Sequence, residues 1–132
     1  KIKKRDFWMP FTPSMLFEDK KKFYIDKKNI NANFMCMAFQ TTDFGKKNLK
    51  AAIHPSDFTI RPQTVKKKDN EDYYNLIKAF KKITNVGAVL NTSLNLHGMP
   101  IAMDFKDAIY ILENSDLDAM VFDKIVLIKK FL

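Results

Sequence analysis

The sequence predicts an α/β (α+β) fold, a single domain with helices packed on a twisted mixed sheet. Three observations carry that expectation. A length of 132 residues is that of one domain with one core. A composition of 46% hydrophobic and 13% aromatic residues is too apolar for a disordered basic chain. Helical spacing of apolar residues alternates along the chain with short β-rich runs.

The elements follow in order. Residues 1–13 alternate loosely at Phe7, Met9 and Phe11 and carry Pro10 and Pro13, the pattern of an extended strand leading into a turn. Residues 14–24 are expected to form a short helix, with Ser14 near its cap and Leu16, Phe17 and Phe23 apolar. The compact apolar run at residues 33–39 predicts a buried strand, and residues 58–65 an edge strand or bulge because of Pro62. The clearest helix covers residues 71–83. Asn70 is its N-cap, Glu71 and Asp72 sit in its first turn, and Lys78, Lys81 and Lys82 lie near its end, so the charges complement the helix dipole. Its stripe of Tyr73, Leu76, Ile77, Phe80 and Ile83 or Thr84 reads as core. After Gly87 comes a short buried strand at residues 88–90, then a helix at residues 105–112 capped by Asp104. A hairpin of residues 119–122 and 125–128 turns at Asp123 and Lys124. No repeat, low-complexity linker or internal domain boundary interrupts this order.

The net charge of +8 comes from 23 basic against 15 acidic residues, and only Arg5 and Arg61 among the basic ones are not Lys. A basic surface can serve nucleic acid, an anionic membrane or a phosphorylated substrate. Lys runs such as residues 20–22 and 66–68 are most simply solvated faces. Arg grips phosphate or carboxylate with a planar fork and keeps its proton, so the two Arg positions are the ones to inspect. No apolar run approaches the roughly 20 residues of a membrane span. A single Cys36 excludes a disulfide framework and a multi-Cys metal site, and fits a reducing cytoplasm. The chain opens on charged sequence without a targeting pattern, and is expected to be a piece of a longer polypeptide.

Phosphate-cradling glycine loops are absent, and the three glycines Gly45, Gly87 and Gly98 could not build them. His54 and His97 lack metal-pair spacing, no nucleophile elbow exists, and Cys36 sits in an apolar run. Polar clusters at strand ends remain. Asn91, Thr92, Ser93 and Asn95 follow the strand at residues 88–90, where α/β sheets line ligand crevices. Ser93 and Asn95 share parity; equally, the segment reads as a polar turn bonding its own backbone. Asp57, Thr59, Arg61 and Gln63 also share parity, so a strand would present one Arg among neutral donors, a face suited to an anion. The other reading is a solvated edge with an Arg61–Asp57 pair. Lys3 and Arg5 again share parity, against the alternative of a frayed basic terminus.

These motifs resemble a known family. The run from Arg5 through Trp8, Pro10, Phe11, Pro13 and Ser14 to Leu16 is similar to the Arg-Glu-x-Trp-Arg-Pro-Phe-Ala-Pro-Ser-x-Leu run of O-carbamoyltransferases of the nodulation-protein and antibiotic-carbamoylating type. Residues 57–63 resemble their Asp-x-Thr-x-Arg-x-Gln motif, residues 70–80 their Asn-Pro-x-Tyr-Tyr-x-Leu-Ile-x-x-Phe helix, and residues 90–101 their Leu-Asn-Thr-Ser-Phe-Asn-x-x-Gly-Glu-Pro-Ile run. Asp107-Ala108 and Leu117-Asp118-Ala119 continue the match. Met99 replaces the family's Glu, Met9 its frequent Arg, and Phe58 its common Gly or Lys. The resemblance is to the family's C-terminal domain, which is similar to the YrdC fold; it implies a partner N-terminal domain of actin-like ATPase fold in the same chain. It implies that residues 1–132 bind ATP, carbamoyl phosphate and the Mg²⁺ that accompanies ATP, forming carbamoyl-adenylate with release of pyrophosphate. The Lys-x-Arg and Ser-x-Asn tetrad of that fold maps to Lys3, Arg5, Ser93 and Asn95. By the same resemblance Arg5 and Arg61 hold phosphate oxygens, Ser93 and Asn95 orient the carbamoyl group or α-phosphate, and Thr59 and Asn91 complete the binding set. No protein-borne metal site, specific nucleic acid or membrane partner is expected. The alternative is a basic nucleic-acid-binding module of the same fold without catalysis, although the aromatics lie mostly in core stripes rather than among exposed basic residues.

Overall fold

The computed structural model describes residues 3, 6 and 8–129. They are mixed α/β, as the composition and periodicity predict, and fall into two compact units: Trp8–Thr92, and the residues from Ser93 onward together with Lys3 and Asp6.

In the Trp8–Thr92 unit a three-stranded sheet has β1 (Thr12–Leu16) at its centre. β1 pairs parallel with β4 (Gln63–Val65) and antiparallel with β5 (Ala88–Asn91), placing Ser14 opposite Gln63 and Thr12 opposite Asn91. Residues 14–24 are therefore not one helix. A central strand is buried on both faces and loses the alternation that marks a strand in sequence; Pro13 to Leu16 are all buried. After it come one 3₁₀ turn (Phe17–Asp19) and a single helical turn, α1 (Lys20–Phe23). The strand expected over residues 1–13 begins only at Thr12; residues 1, 2, 4, 5 and 7 lie outside the described residues.

Residues 33–39 are a loop in which Phe34 is 74% exposed and Cys36 is exposed, not a buried strand. Met35 adopts a left-handed φ of 58°, which ends any extended run there. Only β2 (Phe39–Gln40) pairs, with β3 (Thr59–Ile60). The expected strand at 58–65 is broken at Arg61–Pro62, so Thr59 and Gln63 belong to different sheets. Between β2 and β3 in sequence, α2 (Asp43–Asn48) is capped by Thr42, whose hydroxyl accepts from Gly45 N at 3.1 Å.

The helix α3 (Glu71–Thr84) starts as predicted, with Asn70 Oδ1 accepting from Tyr73 N at 3.0 Å, and closes on Asn85 in the left-handed region. Its apolar stripe is only partly core. Ile77 is fully buried, while Leu76, Phe80 and Ile83 are exposed. Leu90 is exposed as well, because β5 is an edge rather than a buried strand. One sheet face packs Leu16, Val65 and Val89 against α3; the other contributes Met15 and Ala88 to a core with Phe23, Tyr24, Phe39 and Ile60.

In the second unit α4 (Phe105–Glu113), capped by Asp104, lies on the hairpin of β6 (Ala119–Phe122) and β7 (Ile125–Ile128). Ala108, Leu112 and Met120 form its core. The hairpin turns at Asp123 and Lys124 as expected, with Asp123 at φ 50°.

Candidate functional site

Two polar clusters stand out, one in each unit. In the second unit Lys3 Nζ donates to Ser93 O at 2.6 Å and to Asn95 Oδ1 at 2.5 Å, and lies 3.5 Å from Ser93 Oγ. Ser93 Oγ donates to Asn95 Oδ1 at 2.7 Å, so the two side chains do turn the same way. Asn95 Nδ2 in turn donates to Met99 O at 2.7 Å, which fixes the loop that follows. Beyond that loop opens a cavity of about 240 Å³, lined chiefly by Leu96, Met99, Ile101, Met103 and Tyr110. Three of the predicted site residues are thus together. Arg5 lies outside the described residues.

The predicted residues of the Trp8–Thr92 unit divide differently. Thr59 does not share a strand face with Gln63, because β3 ends at Ile60 and Arg61 and Pro62 lie between the two strands. Its amide and hydroxyl both donate to Asp57 Oδ1, at 2.9 and 2.8 Å, and these bonds hold the Asp57 carboxyl below the ordinary carboxylate range. Asp57 also pairs with His54 at 3.4 Å rather than with Arg61. Arg61 is exposed and has no ion-pair partner among the described residues. Asn91 is bound into a cluster with Ser14 and Gln63: Asn91 Nδ2 donates to Ser14 Oγ at 3.0 Å and to Gln63 Oε1 at 2.9 Å.

Ser14 is the residue that sequence reasoning missed, since a helix assignment made it a cap. The signal was Gln63, flagged for its parity with Arg61, which faces Ser14 across the parallel pair. No group of three or more His, Cys, Asp or Glu side chains gathers among the described residues. Nor is any helix among them long and apolar enough to cross a membrane.

Comparison with known proteins matches residues 1–129 to the family model described as the carbamoyltransferase C-terminus. An uncharacterized protein of Methanocaldococcus jannaschii is 39% identical over 122 residues, covering 92% of this chain and 20% of the relative. Nodulation protein NolO of Bradyrhizobium diazoefficiens is 38% identical, with 91% of this chain and 22% of the relative covered. Nodulation protein NolNO of Sinorhizobium fredii is also 38% identical, with 98% and 19% covered. The chain spans about a fifth of the length of these relatives.

Proposed function

The chain belongs to the carbamoyltransferase C-terminus family, and from that premise we propose that it binds ATP and carbamoyl phosphate and forms carbamoyl-adenylate. The observation that carries the reading is the position of the Lys3 ammonium against Ser93 and Asn95. Those neutral oxygens fix where the ammonium stands, and a lysine held at a polar cluster is a point charge suited to a phosphate oxygen.

Carbamoyl phosphate supplies carbamate by losing its phosphate to water. A carbamate oxygen then attacks the α-phosphorus of ATP, the bond from that phosphorus to the bridging oxygen breaks, and pyrophosphate leaves with the electron pair. Such transfers depend on positioning and on neutralising phosphate charge. Lys3 is a point charge in this scheme, Arg5 and Arg61 hold phosphate oxygens, and Ser93 and Asn95 orient the carbamoyl group or the α-phosphate. Thr59 and Asn91 are neutral polar groups at the ligand. The apolar cavity behind Asn95, with the Tyr110 ring in its wall, suits a nucleobase. Magnesium arrives on the nucleotide, held by phosphate oxygens and water. Transfer to a hydroxyl acceptor falls to an N-terminal actin-like domain in a longer polypeptide; the greater length of the relatives leaves room for a further domain.

The test is carbamoyl-phosphate-dependent release of pyrophosphate by the full-length polypeptide carrying this domain. Lys3→Met and Arg61→Ala are each expected to cost about 2–4 kcal/mol in kcat/KM, the scale of one preorganised donor. Pyrophosphate release that ignores carbamoyl phosphate rejects the reaction. A rate unchanged by either substitution rejects that residue's role.

A further inference from the structure

One face of the three-stranded sheet changes character along its strands. Under α3 it is apolar, with Leu16, Val65 and Val89; two residues along each strand it carries Ser14, Gln63 and Asn91, with Ser14 opposite Gln63 and Asn91 one pair further on, opposite Thr12. Ser14 is fully buried, and among the described residues its hydroxyl bonds within this set. It donates to Gln63 Oε1 at 2.6 Å and accepts from Asn91 Nδ2. Asn91 Nδ2 spends its two protons on Ser14 and Gln63, with Met35 Sδ also 3.8 Å away. Gln63 Oε1 accepts twice, which fills its lone pairs.

What is left over points to a ligand. Asn91 Oδ1, an acceptor, and Gln63 Nε2, a donor, have no partner among the described residues. Neither is among the fully buried polar atoms lacking a partner, which belong to Asp19 and Tyr24, so both reach the surface. Turning both amides over together would exchange the two groups and still present one donor and one acceptor. Three side chains on three strands thus hold this pair in a fixed orientation.

We infer that Ser14, Gln63 and Asn91 form an edge that reads the carboxamide of the carbamoyl group. Asn91 Oδ1 accepts from the ligand amino group, and Gln63 Nε2 donates to its carbonyl oxygen. The inference rests on the proposed binding of carbamoyl phosphate and adds to it the residues that select the amide. Ser14 is a positioning residue, acting through the other two. A methyl ketone or acetyl analogue would leave Asn91 Oδ1 unpaired, and a carboxylate would set oxygen against oxygen. Sites built to hydrogen-bond one group discriminate strongly against analogues lacking it. The amino edge of adenine offers the same donor and acceptor, so the test separates the two.

The experiment is calorimetric binding of phosphonoacetamide, its methyl-ketone analogue 2-oxopropylphosphonate, and ATP to the full-length polypeptide, as wild type and as Gln63→Glu. Glu keeps the inner oxygen that Ser14 and Asn91 bond, and turns the outer donor into an acceptor. Wild type is expected to prefer the amide to the ketone by about tenfold or more, the value of one unmade hydrogen bond to a polar group. Gln63→Glu is expected to weaken the amide by a similar factor, and by more than it weakens ATP. No binding of the amide, equal binding of amide and ketone, or a loss confined to ATP overturns the inference. The wild-type comparison decides the matter even if the variant folds poorly. Amide preference without pyrophosphate release would reject the adenylation and keep the edge. Pyrophosphate release without amide preference would reject the edge alone.

Discussion

Asp19 shows how tightly single side chains are placed around the sheet. Its carboxylate is buried and pairs with Lys81 on α3 at 2.6 Å and with Lys22 on α1 at 3.2 Å. Burial works against its charge, but the two ammonium groups prevail and hold the carboxyl below its ordinary range. Gly87 makes room for it, since a Cβ there would lie 2.3 Å from Asp19 Oδ2. Gly87→Ala is therefore expected to cost about 1–3 kcal/mol, the scale of overpacking. In an Asp19→Ala background the same change should cost less, so a double-mutant cycle by urea denaturation would show coupling; additive effects would reject the close approach. The residue scale is also where the sequence was most informative about function. Parity placed Ser93 beside Asn95, and the two side chains meet through a hydrogen bond in a segment that bends at Leu94 and Asn95. Parity failed for Thr59 and Gln63, because it assumes an unbroken strand and this one is interrupted at Arg61–Pro62.

Elements were legible wherever local chemistry decides their bounds. The helices α3 and α4 begin where Asn70 and Asp104 cap them, and the hairpin turns at Asp123, because caps and tight turns are written into adjacent residues. β1 was not legible, since only its two neighbours, distant in sequence, make it a central strand. The loop at residues 33–39 misled for the opposite reason: apolar composition signals burial, and Phe34 there is exposed. The same distinction applies to α3, whose apolar stripe is buried only at its middle. Ile77→Ala is expected to cost about 2–5 kcal/mol, as for other buried aliphatic truncations. Ile83, 85% exposed, should tolerate Ser within about 0.5 kcal/mol. Chemical denaturation compares the two; a comparable loss at both positions would mean that the stripe is covered along its whole length.

For the whole molecule, acid is the first stress to consider. Asp19 and Asp26 both titrate below the ordinary range. For Asp26, burial is outweighed by the Ile30 amide and the Lys20 ammonium, which lies 3.2 Å away. A carboxyl depressed in the native state contributes stability that is fully present above its unfolded value, about pH 4. That contribution is lost as pH falls through the native values. Thermal midpoints should therefore hold from neutrality to about pH 4 and drop below it, and Asp19→Asn should flatten the drop. An identical acid profile in wild type and variant would remove Asp19 from the account.

The net charge of +8 gives the last expectation, because it separates a catalytic domain from a polyanion-binding one. Charge alone attracts nucleic acid, but the attraction comes from counterion release and fades as salt rises. Retention through physiological salt takes a further contribution, such as exposed aromatic rings stacked on bases among the basic residues. The cation–ring contacts place Lys20 and Lys66 over Phe17, Lys46 over Phe58 and Lys78 over Tyr74, so those three rings meet the protein's own ammonium groups, while Phe34 is exposed. A nucleobase would have to displace them. Filter binding of a single-stranded oligonucleotide is accordingly expected to be measurable near 20 mM salt and lost near 150 mM, with a steep negative slope in log affinity against log salt. Sub-micromolar affinity persisting at about 150 mM salt would favour the nucleic-acid module over the carbamoyl-adenylate reading.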